Sequence, residues 1–159
     1  MSAGDTSLKA NRDRSLLAPK FRSAVEAGLA DCEAAGLDAM VWEGHRSPEL
    51  AALYYQRGRT IKPPARPVTN ARTALYTWHG YGLAVDIIHR TKFWDAGDAW
   101  FRQMADLMIP HGLKAGLDWK FVDPPHIQWG KCKASPSDRA RELLAAGGEV
   151  AVWQAVGAA

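Results

Sequence analysis

The chain reads as one α+β domain: a small, mostly antiparallel sheet with helices packed against it. Three observations predict this class. Its 159 residues suit a single domain, since domains usually run about 100–150 residues. Apolar stripes at helical spacing occupy Ser15–Gly36 and Trp94–His111, while short strand-like runs lie at Asp38–Trp42, Leu83–Ile88 and within Phe121–Trp129. No internal repeat or low-complexity segment interrupts the pattern, and 47% of the residues are hydrophobic, enough for a core.

The elements follow in order. In Ser15–Gly36, Leu16, Leu17, Phe21, Val25, Leu29 and Cys32 recur every three or four residues, and Gly36 is the stop. Asp38–Trp42 is a buried strand that ends at Gly44-His45-Arg46. Ser47 then caps a helix with Pro48 at its first position, running to about Arg57. Arg59–Thr73 carries three prolines and many basic residues without apolar period, which predicts a long loop. Leu83–Ile88 is a strand with glycines upstream. Trp94–His111 is a helix whose inner face holds Trp100, Phe101, Met104, Leu107 and Met108, and Gly112 ends it. Phe121–Trp129 contains the last strand, and Ser135-Pro136 starts a final helix through Ala145. The domain is bounded at residues 1–146; residues 147–159 form a C-terminal tail with room for a short amphipathic helix over Glu149–Val156.

Charge and cysteine content exclude little but shape expectations. A net charge of +3 favours polyanions in general and selects none. Without a basic helix or an aromatic-rich sheet motif, no nucleic-acid partner is expected. Cys32 and Cys132 lack metal-knuckle spacing and read as reduced, partly buried thiols. Met1–Arg14 is polar, so a secretory signal is not expected there. No run reaches the roughly 18 apolar residues of a membrane span, and a monomer without stable membrane insertion is expected.

Two segments carry the chemistry: Thr77-Trp78-His79-Gly80-Tyr81-Gly82-Leu83-Ala84-Val85-Asp86, and Asp123-Pro124-Pro125-His126-Ile127-Gln128-Trp129. His79, Asp86 and His126 are three protein ligands for one Zn²⁺, leaving a tetrahedral position open, as catalytic rather than structural zinc requires. Strand alternation puts Ala84, Asp86 and Ile88 on one face and Val85 and Ile87 on the other. Asp86 inside an apolar run needs a partner, either a metal or a distant arginine such as Arg46. The two prolines predict a polyproline-like stretch that points Asp123 and His126 to one side. His45, His89 and His111 are read as packing or surface residues.

These segments resemble the zinc D-Ala-D-Ala/L-alanyl-D-glutamate metallopeptidases, whose fold is shared with the signalling domain of hedgehog proteins. The motif Ser-x-His-x-x-Gly-x-Ala-x-Asp is matched by Thr77, His79, Gly82, Ala84 and Asp86, with threonine for serine. The carboxylate-x-x-His motif is matched by Asp123 and His126. Gly44-His45-Arg46-Ser47 matches the family's arginine segment, and Gly116-Leu117-Asp118-Trp119-Lys120 its Gly-x-Asp-Trp-Lys stretch. The resemblance covers about Leu16–Trp129 and implies a zinc-dependent peptidoglycan peptidase acting on the stem peptide, with Asp123 as general base and Arg46 as the group that stabilises the carbonyl oxygen. Thr77, Tyr81, Gln128 and Trp129 are the candidate substrate contacts, with Trp119 as a further groove wall and Gln128 also placed to orient a ligand. The pattern is similar to phage endolysins of the peptidase type, which would be made in the host cytoplasm and reach the wall after release. A D,D-carboxypeptidase and, more remotely, a non-enzymatic zinc-fold binding module are the alternatives; the basic stretch 59–72 is expected to meet acidic stem peptide or to be a solvated loop.

Overall fold

A computed structural model describes residues 9–62 and 64–159 of the protein. Four strands, β1 (Ala39–Glu43), β2 (Ala84–His89), β3 (Leu113–Ala115) and β4 (His126–Trp129), form one sheet in the order β1-β2-β4-β3. Every neighbouring pair is antiparallel, as the α+β reading requires. The helices are α1 (Pro19–Ala34), α2 (Pro48–Gln56), α3 (Asp98–Met108) and α4 (Asp138–Ala155). The core gathers Phe21 and Val25 of α1, Phe101, Met104 and Met108 of α3, and Val41, Val85, Ile87 and Ile127 of the sheet.

Several elements start or stop elsewhere than periodicity alone places them. The first helix begins at Pro19, because Arg14–Leu16 is a separate 3-10 turn capped by the Asp13 side chain. Trp94–His111 divides into two 3-10 turns around α3, broken at Gly97 with φ 93°. β3 was not expected; a three-residue strand is too short to show a period. The cap of α4 is Ser137, whose side chain accepts from the Ala140 N–H at 3.1 Å, so Ser135-Pro136 lies outside the helix. By contrast Ser47 caps α2 with Pro48 first, as expected.

The C-terminal residues are not an appendage. α4 continues through a kink at Gly148 to Ala155. Trp153 donates its indole N–H to Tyr81 O at 2.7 Å, and the Lys20 N–H bonds Ala158 O at 2.9 Å. Val152 and Ala158 are buried in the main core. The expected boundary after residue 146 therefore does not separate structural units: residues 147–159 close the same core. Both cysteines are free and buried, which pushes the Cys32 thiol up to about 11 and that of Cys132 up to about 12. Among the described residues no helix is long and apolar enough to cross a membrane.

One irregularity governs the site. In the β1–β2 ladder Val41 faces Ile87, but the next pair is Glu43 with Asp86, so Trp42 is an extra residue. Such a bulge reverses the facing of the residues beyond it. Glu43 thereby leaves the face of Val41 and joins that of Asp86, whose other neighbour is His126. Glu43, Asp86 and His126 form a row across three strands.

Candidate metal centre and catalytic cleft

His79 lies in the 3-10 turn Trp78–Tyr81, which Thr77 caps by accepting from the His79 N–H. Gly82 ends that turn at φ 70°, a conformation that suits glycine, and hands the chain to β2. His79 is buried and its Nδ1 meets Gly44 O at 2.9 Å. A carbonyl only accepts, so Nδ1 carries the proton and Nε2 is left with a lone pair, 3.4 Å from Asp86 Oδ1.

His126 opens β4 with the opposite tautomer. Its Nε2 faces Gln128 Oε1 at 2.9 Å, while Gln128 Nε2 donates to Lys133 O at 2.7 Å. The amide therefore presents its oxygen to the ring, the proton sits on Nε2, and Nδ1 is free, 3.8 Å from Asp86 Oδ1. Gln128 is fully buried behind the ligand, so it steadies His126 and does not reach substrate.

The three donor atoms lie within 4.8 Å of one another, the one such group among the described residues. Ligands held about 2.0–2.1 Å from a tetrahedral zinc sit roughly 3.3 Å apart, close to the His79–Asp86 separation of 3.4 Å. Asp86 Oδ1 is also a buried oxygen with no hydrogen-bond partner. Such an orphan is costly unless a cation satisfies it. Two imidazole lone pairs and an orphaned carboxylate oxygen converging on one point fit a zinc ion. Of the two partners open to Asp86, Arg46 stands at 4.0 Å from Oδ2, leaving Oδ1 to the metal position.

The charges reflect the crowding. Burial opposes ionisation of Asp86, yet His79, His126 and Arg46 together outweigh it and hold the carboxyl well below its usual range. Burial likewise disfavours the His79 cation, but the Asp86 carboxylate raises its pKa on balance. Burial, then the neighbouring His79, depress His126 to about 4.

Asp123 precedes His126 through a turn rather than the expected polyproline stretch, since the His126 N–H bonds back to Asp123 O at 3.1 Å. The outcome for the side chains is as expected: Asp123 Oδ2 lies 3.8 Å from His126 Nδ1. Asp123 stands half-exposed at the cleft wall, where burial and the Asp86 charge push it up to about 6. Gly116 permits this approach, for a Cβ there would come within 2.5 Å of Asp123 O and 2.9 Å of His126 Cβ. Trp119, three residues on, packs its ring 4.6 Å from that of His126.

Arg46 is buried beside the triad. Its Nε donates to Glu43 Oε1 at 2.9 Å, a second guanidinium nitrogen bonds the same oxygen, and the ring of Tyr54 lies 4.6 Å beneath it. Tyr54 in turn donates to Glu43 Oε2 at 3.0 Å. Sequence reading missed Glu43. Its one signal was a carboxylate closing an apolar strand, and plain alternation would have put it on the core face.

These groups line one cleft of about 1340 Å³ that also takes in Thr77, Trp119, Trp42, Trp94, Arg57 and Thr69. Three expected substrate contacts are absent from it: Gln128, which stands behind His126, and two aromatics. Tyr81 is wholly buried, donating its hydroxyl to Leu75 O at 2.9 Å. Trp129 packs on the core and donates its indole N–H to Val156 O at 2.7 Å. In both cases a backbone carbonyl satisfies the polar tip, so the aromatic belongs to the interior. His45, His89 and His111 lie outside the metal group; His45 Nε2 pairs with Glu149 at 2.5 Å and His111 Nε2 with Asp31 at 2.6 Å.

Residues 70–129 match the sequence profile of a family described as D-alanyl-D-alanine carboxypeptidase. The chain is 32% identical over 105 residues to the peptidoglycan L-alanyl-D-glutamate endopeptidase CwlK of Bacillus subtilis (strain 168), a match that covers 58% of this chain and 61% of that protein, so it spans less than two thirds of its relative. The fold is similar to that of the L-Ala D-Glu endopeptidase ChiX of Serratia marcescens, with TM-score 0.53, 18% identity, and coverage of 80% of this chain and 95% of that one. It is also similar to the vancomycin resistance D,D-pentapeptidase VanY in complex with Zn(II), with TM-score 0.52, 14% identity, and coverage of 81% and 78%. At these identities the structural likeness establishes the fold alone.

Proposed function

We propose that this chain, which matches a D-alanyl-D-alanine carboxypeptidase family over residues 70–129, is a zinc-dependent peptidoglycan hydrolase that cuts the stem peptide at the L-alanyl-D-glutamate bond. The observation that carries the reading is the placement of the Asp123 carboxylate beside the free nitrogen of His126, on the wall of an open cleft. His79, Asp86 and His126 would hold a zinc ion, which when bound would supply Lewis acidity to the scissile carbonyl and the attacking water. Asp123 takes the proton of the attacking water on its carboxylate and returns it to the leaving amine. Burial and the Asp86 charge raise its pKa towards neutral pH, the direction both duties need, while the charge of a bound zinc would act against that rise. Glu43 fixes the Arg46 guanidinium at the cleft, where it offsets negative charge developing on the carbonyl oxygen. Thr77 lines the cleft and is the remaining candidate for a substrate backbone contact.

The choice of bond rests on the 32% identity to CwlK. The family description favours a second reading, a D,D-carboxypeptidase that removes the terminal D-alanine. Digestion of purified peptidoglycan by zinc-loaded protein, with and without EDTA, decides between them by product masses. New L-alanine carboxyl termini that vanish with chelator support the endopeptidase, and released D-alanine alone supports the second reading. No cleavage of any wall type by zinc-replete protein would leave a binding module. We extend the proposal to a role in phage-driven lysis, on the likeness of its motifs to endolysins. Host cells expressing the chain should lyse only when a holin is co-expressed; lysis that occurs equally without holin would count against that role.

A further inference from the structure

The cleft is larger than a scissile dipeptide needs, since sites for drug-sized ligands span about 300–1,000 Å³. One part of its lining is unexplained by the peptide chemistry. Trp94 is 51% exposed and Phe93, beside it, 44%. Their rings are near parallel, 28° apart with centroids 6.4 Å from each other. Trp42 buttresses both edge-on, at 4.9 Å from Trp94 and 6.3 Å from Phe93. The Arg12 guanidinium covers the Trp42 ring at 4.3 Å and donates to Trp42 O at 3.0 Å.

The arrangement is held in place. A tight turn joins β2 to Phe93, with the Phe93 N–H bonded to His89 O at 3.0 Å. His89 Nδ1 accepts from the N–H groups of Thr91 and Lys92, both at 3.1 Å. Phe93 itself takes φ 53°, ψ −119°, a strained backbone for a bulky residue. The fold thus bears strain while two large apolar rings face solvent, and exposed aromatic patches of this kind mark binding surfaces.

We propose that Phe93 and Trp94 form a platform for a pyranose ring, the amino sugar that carries the stem peptide. The inference rests on the stem-peptide reading of the cleft. Trp94 and Trp42 line the same cavity as His79, Asp86 and His126, so the group that reaches them is covalently continuous with the peptide. In peptidoglycan the L-alanine end of the stem is attached to such a sugar. A pyranose offers a flat face of C–H groups, complementary to the negative faces of aromatic rings. Arg12, over the Trp42 ring, and Lys9, which lines the same cleft, are donors for its hydroxyl and acetamido oxygens.

The test compares hydrolysis of a disaccharide-tetrapeptide with that of the free tetrapeptide, in wild type and Trp94→Ala. The expected result is a kcat/KM at least about tenfold higher for the sugar-bearing substrate, a preference that collapses in the variant. A preference near one in wild type, or one that survives Trp94→Ala, overturns the platform. Phe93→Gly relieves the positive φ and so guards against misfolding as the explanation; it should lower the preference while keeping the melting temperature. If neither substrate is cut, the hydrolase reading fails, and the platform is judged by N-acetylglucosamine tetramer alone. A shift of the Trp94 indole resonance with added tetramer sustains it, and none refutes it.

Discussion

Replacing Gln128 by leucine separates the metal ligand from its support. Gln128 is fully buried, accepts from His126 Nε2–H at 2.9 Å and anchors itself on Lys133 O at 2.7 Å. Leucine of similar volume fills the space but leaves the imidazole N–H unpaired. The unpaired buried donor costs about 1–3 kcal/mol of stability. Lys133 O keeps the Trp78 indole N–H at 2.7 Å, so no second orphan adds to the loss. Removal of such an outer partner lowers metal affinity about 10–100-fold, equivalent to roughly 1.4–2.7 kcal/mol. Gln128→Glu keeps the acceptor for His126 but sets a carboxylate against Lys133 O. It should retain zinc better than leucine while still lowering stability. Zinc affinity is read by competition with a chromophoric chelator, and stability by thermal melting of the metal-free protein. Zinc affinity in Gln128→Leu within about threefold of wild type would refute the orienting role.

Other consequences are equally direct. Asp123→Asn should keep the fold and zinc but lose about 10²–10⁴ in kcat, read on purified peptidoglycan with zinc content measured in parallel. Glu43→Ala leaves the Arg46 guanidinium buried beside the triad without its main partner, and breaking such a pair costs about 3–5 kcal/mol; a melting temperature unchanged from wild type would contradict the network. The pH response follows from the triad. His126, held at about 4, stays neutral when folded at pH values where the unfolded histidine is protonated, so its contribution falls as pH drops from about 6.5 towards 4. His79, raised above the ordinary value, contributes in the opposite sense and loses its contribution as pH rises through its folded pKa. Zinc requires both rings neutral, so the gain in melting temperature on adding zinc should already shrink as pH falls through the raised pKa of His79, above the ordinary value of about 6.5; a gain constant down to pH 4.5 would contradict histidine ligation.

Much of this site is legible in the sequence. His79, Asp86, His126 and Asp123 announce themselves because local spacing fixes them: a turn into a strand, and a turn out of two prolines. Ser47-Pro48 shows itself as a helix start for the same reason. What stays hidden depends on tertiary contacts. Glu43 enters the site only through a bulge against β2, which no pattern within β1 displays. Tyr81 and Trp129 look like groove walls because aromatics beside motif residues suit that role, but the carbonyls that claim their polar tips come from Leu75 and Val156. The C-terminal residues look detachable because alanine and glycine carry little apolar signal, whereas Trp153 and Ala158 are held by Tyr81 and Lys20, far away in the chain.

The extra residue in β1 joins two ends of the cleft that otherwise have nothing in common. By occupying one more position than β2 opposes, Trp42 sends Glu43 towards the triad and stands itself under the Phe93–Trp94 pair. Selection on this strand therefore acts on its count as much as on its letters. Losing the Trp42 codon would leave Glu43 opposite Asp86 in a regular ladder, but it would remove the prop beneath the aromatic shelf and draw the segment leading to Arg46 in by one residue. Anyone regrafting this cleft to recognise a different wall can vary the shelf freely only while preserving the length of the strand that carries it.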